Sequence, residues 1–71
     1  MVLVEELLRK RTGEIEVYEH KLIKNTDEEY WCPDLDMKVN IKTGWTSKEG
    51  VELNKPFDSS RIRTITYRIK E

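Results

Sequence analysis

Between Met37 and Lys42 apolar and polar residues alternate without a break. Met37, Val39 and Ile41 fall on one side, and Lys38, Asn40 and Lys42 on the other. A period of two is the pattern of a strand with one face on a core and one in water. In the segment from Arg61 to Lys70, RIRTITYRIK, the pattern recurs: Ile65, Tyr67 and Ile69 share a face, preceded there by Arg61 and Arg63, and Ile62, Thr64, Thr66, Arg68 and Lys70 share the other. Two such strands in so short a chain commit it to a sheet. The chain has no Ala and no Gln, while Ile, Val and Thr are prominent, which also favours strands over helices. The same charged, Ala-free composition fits an AT-rich coding genome or a thermophilic source.

The 71 residues suffice for one domain, spanning residues 1–71, and a chain of this size buries only about 60% of its unfolded surface. Thirteen basic and 14 acidic residues leave a net charge of −1, too small to hold the chain open by repulsion. The charges are unevenly spread: residues 1–36 are acidic on balance and residues 37–71 basic, an asymmetry that can mark an interaction surface.

The spacing of Leu3 or Val4, Leu7 and Leu8 predicts a short helix over VLVEELLRKR. Glu5 and Glu6 lie early and Arg9, Lys10 and Arg11 late, the order that the helix dipole favours. Gly13 would end it in a left-handed conformation. Residues 13–24 begin as a strand, with Ile15 and Val17 alternating against Glu14 and Glu16. The parity then slips at Leu22 and Ile23, as a bulge near Glu19-His20 or two partly covered faces would produce. Thr26 and Glu29 fit a capping box, so NTDEEYWCPDLD reads as a loop with one helical turn ended before Pro33. After the strand at Met37, Gly44 suits a bulge that re-aims Trp45. Ser47 to Gly50 reads as a hairpin turn, and Val51 and Leu53 as its returning strand. The expected fold is α+β: a short N-terminal helix on an antiparallel meander of about four strands, either open or curled into a partial barrel.

Catalytic and metal chemistry find little support. His20 and Cys32 are the single residues of their kinds and are separated by a loop, too few for a nucleophile, base and orienter or for a structural zinc site. Cys32 has no disulfide partner within the chain and reads as a small buried hydrophobe. Asp34 and Asp36 lack the rest of a calcium loop, and Gly13, Gly44 and Gly50 are too scattered to cradle a phosphate. The expectation is a non-enzymatic protein without a cofactor. With neither a leader-like N-terminus nor a membrane-length apolar run, the expected location is the cytoplasm.

Binding is the function that remains. Interfaces are rich in Trp, Tyr and Arg, and loops display side chains that strands bury. Tyr30 and Trp31, with Asp34 and Asp36 in the same acidic loop, are therefore the candidate protein-binding residues. The partner expected is another protein, or a second copy through an exposed strand edge. The profile also suits a phage or mobile-element accessory protein that regulates or inhibits a host protein. The alternative is nucleic acid laid on the sheet, with Lys38, Lys42, Arg68 and Lys70 as phosphate contacts.

Overall fold

The structure is a computed structural model that describes residues 2–71. It contains seven strands and no helix: β1 (Leu3–Arg9), β2 (Ile15–Lys21), β3 (Ile23–Lys24), β4 (Glu29–Cys32), β5 (Met37–Asn40), β6 (Phe57–Asp58) and β7 (Thr64–Lys70). They form a four-stranded sheet in the order β2-β1-β7-β6 and a three-stranded sheet in the order β3-β4-β5, all antiparallel. Neither sheet closes into a barrel. The expected α+β class is thus overturned.

The segment read as a helix is instead the strand β1, hydrogen-bonded on both sides. Leu3 to Arg9 pair with Lys21 to Ile15 on one flank and with Lys70 to Thr64 on the other. The spacing of Leu3, Val4, Leu7 and Leu8 misleads because both faces of β1 carry apolar residues. Val4 and Leu8 take one face, Leu3 and Leu7 the other. Leu and Glu propensity cannot hold a helix this short against two ladders of sheet pairing. Nor is the sheet a meander, since its central seam joins β1 to β7 across the whole sequence.

The parity slip after Tyr18 is not a bulge. The β1–β2 register runs unbroken to Lys21, and the chain then crosses at Leu22 from the edge of one sheet to the edge of the other. The Thr26–Glu29 motif forms its hydrogen bonds without a helix. The backbone N–H groups of Glu28 and Glu29 donate to Thr26 Oγ1 at 3.2 and 2.9 Å, closing the β3–β4 turn. Gly50 takes positive φ (77°), as a turn there requires, but the segment after it makes only a single bridge, Trp45 with Glu52.

One core joins the two sheets. Val4 and Tyr67 from the larger sheet meet Tyr30, Cys32, Met37 and Val39 from the smaller one, with Leu53 beside them. Val4, Cys32, Met37 and Val39 are fully buried. Ile65, Ile69 and Phe57 pack around this centre, and the Phe57 and Tyr67 rings lie 5.6 Å apart in a tilted pair. The faces of β5 and β7 follow the alternation read from the sequence.

Candidate functional site

Sheet edges are where this fold leaves backbone groups unpaired. The edge at β6 is two residues long. The edge at β5 is covered by the following segment: Asn40 N–H donates to the Trp45 carbonyl (2.8 Å), Ser47 N–H to the Lys38 carbonyl (2.9 Å) and Lys38 N–H to Ser47 Oγ (2.9 Å). The opposite side is different. There β2 and β3 are both edge strands and are separated only by Leu22, so residues 15–24 run as one open edge along both sheets.

That edge carries exposed apolar side chains among its charges. Ile15, Val17, Tyr18 and Ile23 are each about half exposed and, with Trp45 elsewhere, make up the exposed large apolar side chains among the described residues. Register places Ile15 beside Arg9, and Val17 beside Leu7, on the outer face of the larger sheet. Ile23 lies opposite Trp31 on the outer face of the smaller one. Most of the charges interspersed on β2 are engaged within the chain, Lys21 being the exception. Lys10 pairs with Glu16, the Tyr18 hydroxyl donates to Glu16, and Lys70 Nζ donates to Glu19 at 2.6 Å. Inward or repelling charge usually protects an edge, and here it is largely spent on internal partners.

The four residues expected to bind protein separate in the structure. Tyr30 is core. Trp31 points to the other face of β4, half-buried beside Ile23, and so adjoins the open edge. Asp34 and Asp36 lie in the β4–β5 turn, where Asp36 has a positive φ of 50°. Asp34 Oδ2 accepts from His20 Nδ1 at 3.1 Å, while His20 Nε2 donates to Glu6 Oε1 at 3.0 Å. Burial works against the His20 charge, but the two carboxylates outweigh it and raise its pKa above the ordinary range. His20 is therefore a clasp between the β4–β5 turn and the larger sheet, a contact that no residue spacing marks.

The four residues expected to meet nucleic acid are all ion-paired. Lys38 pairs with Glu29, Lys42 with Glu28, Arg68 with Glu5 and Lys70 with Glu19. Arg68 and Lys70 belong to the larger sheet, whereas Lys38 belongs to the smaller one. Unpaired basic charge gathers elsewhere, at Arg9, Arg11, Arg61 and Arg63. Its sequence trace is the doubled Arg-x-Arg at positions 9–11 and 61–63, two pairs that the antiparallel β1–β7 seam brings to one end of the sheet.

Cys32 is fully buried, and burial pushes its thiol pKa up, opposite to what a reactive thiolate needs. The Tyr67 phenol is raised chiefly by burial as well, with the nearby Glu6 carboxylate adding to it. Among the described residues no three His, Cys, Asp or Glu side chains gather as a metal site would need. Nor do the described residues contain a helix long and apolar enough to cross a membrane. Compared with known proteins, the chain significantly matches no protein-family model, no curated protein and no solved structure.

Proposed function

We propose that this protein is a non-enzymatic binding domain that takes an extended segment of another protein onto its open edge at residues 15–24. The observation that carries the reading is the continuity of that edge across two sheets, with Ile15, Val17, Tyr18 and Ile23 half exposed along it. Strand addition draws affinity from backbone hydrogen bonds and specificity from the alternate side chains beside them. Here the free N–H and C=O groups of β2 and β3 supply the first, and the Val17–Leu7 and Ile23–Trp31 neighbours the second. Trp31 is the anchor that survives from the acidic loop, because an aromatic half-buried at a sheet edge offers area at little entropic cost.

The test compares capture of partners by the wild-type chain and by a Val17→Lys/Ile23→Lys variant, both after nuclease treatment. Amide hydrogen exchange is then measured on the captured complex. The reading expects the partner to be lost with the variant and the amides of residues 15–24 to slow in the wild-type complex. Capture unchanged by the variant, or protection elsewhere, sinks it. Light scattering on the free chain separates a second copy from a different partner.

A further inference from the structure

Four arginines collect at the end of the larger sheet farthest from the His20 clasp. Arg9 closes β1, Arg11 lies in the β1–β2 turn, and Arg61 and Arg63 lie in the β6–β7 loop. The two segments are held together by the Arg63 N–H, which donates to the Arg9 carbonyl at 3.0 Å. All four side chains are exposed, and among the described residues none is in an ion pair, although Arg68 and most of the lysines are. Two open concavities meet there and share Arg63. One, of about 410 Å³, is lined by Arg11, Asp58, Ser59 and Arg63. The other, of about 340 Å³, is lined by Leu7, Arg9, Pro56, Arg63, Thr64 and Thr66.

Like charges that outnumber the counter-charge beside them destabilise a fold unless an anion relieves them. Guanidinium forks with Ser and Thr hydroxyls beside them are the donors that phosphate oxygens accept from. A small phosphate ligand would need an enclosed pocket, and both hollows are open. A polymer has no such need, because it gathers several weak phosphate contacts along one strand. We infer that the Arg9–Arg11–Arg61–Arg63 end of the four-stranded sheet binds the phosphodiester backbone of single-stranded nucleic acid. The net charge of −1 does not oppose this, because Glu5, Glu19, Glu28 and Glu29 are matched by their own partners away from the cluster, and Glu16, at the same end of the sheet, is matched by Lys10. Asp58 is the acid that lines the site, and it sets a brake on affinity. The contacts are to backbone, so binding is independent of sequence. The inference is tested separately from the strand-edge reading, since its arginines lie outside residues 15–24, although Leu7 borders both surfaces.

The test is fluorescence anisotropy of a short mixed-sequence single-stranded DNA, titrated with the full chain over a range of salt. Four phosphate contacts give a log–log salt slope of about −3, at roughly 0.7 per contact. Arg63→Glu should weaken binding about tenfold or more, Asp58→Asn should strengthen it, and Lys38→Glu should leave it unchanged. Unaltered urea midpoints verify that each variant is folded. Absence of binding at low salt, or binding that Arg63→Glu does not weaken, overturns the proposal. Equal competition by tripolyphosphate or by polyglutamate also overturns it, assigning the cluster to a small phosphate or to an acidic peptide.

Discussion

His20 is the diagonal neighbour of Glu6 across the β1–β2 pair, and its Nε2 lies 3.0 Å from the Glu6 Oε1. With Asp34 on the other ring nitrogen, both positions face carboxylate oxygens, so the ring satisfies both only as imidazolium. The folded-state pKa is raised above the ordinary 6.5. The stabilisation is therefore complete below the unfolded value and is lost as pH rises through the folded one. Urea midpoints should fall between about pH 6 and pH 8, and the fall should vanish in His20→Gln. At the acid end that variant should cost about 1 kcal/mol, because the Asp34 half of the clasp is solvent-screened. An equally steep fall in the variant would place the titration elsewhere.

Cys32 should behave as a core methyl rather than as a thiol. It is fully buried and its pKa is raised. Aromatic disulfide reagents should label the native chain only as fast as it opens, and labelling in urea should track the unfolding curve. Cys32→Ser should destabilise more than Cys32→Ala, by about 1 kcal/mol, since the hydroxyl has to be desolvated.

The segment after β5 is held by a buried hydroxyl as well as by its hydrogen bonds to β5. Thr46 is 4% exposed, and its Oγ1 donates to the Val51 carbonyl at 2.6 Å. Thr46→Val keeps the shape and removes the donor, so it should cost about 1–2 kcal/mol. Thr46→Ser should recover most of that loss. A Thr46→Val variant as stable as the wild type would show that the Val51 carbonyl finds water instead.

Binding and folding should come apart at Trp31 but not at Tyr30. Trp31 is half-buried on the outer face, whereas Tyr30 belongs to the core. Trp31→Ala should stay folded and lose the partner, with a stability cost of about 1–2 kcal/mol. Tyr30→Ala should cost about 3–5 kcal/mol and bring a chain of this size close to unfolding, as seen by circular dichroism. An unfolded Trp31→Ala would assign that ring to the core.

The strands that could be read from the sequence are those with one face on the core and one in water. Met37–Asn40 and Thr64–Lys70 are both of this kind, and their faces came out as the alternation requires. β1 could not be read, because Leu7 and Leu8 are neighbours on opposite faces and imitate a helical stripe. β2 and β3 looked like one faulty strand because the sequence does not mark the residue at which a chain changes sheets. Residue type alone does not set which way a side chain faces: Tyr30 and Trp31 are adjacent yet face opposite ways. The lysines that looked free meet acids distant in sequence, as Lys70 meets Glu19. Only register reveals such partners, and register is set by long-range pairing.

The β1–β7 seam has a kinetic side. Leu3 lies opposite Lys70, so the middle of the larger sheet is made from residues at far-separated positions. The β1–β2 hairpin can form early, around a turn closed by Lys10 and Glu14. Until β7 arrives, that hairpin carries open backbone on both flanks, and its loop-closure cost must be met first. The slow step in refolding should therefore be this late docking, and the interval before it should be when the chain is most exposed to aggregation.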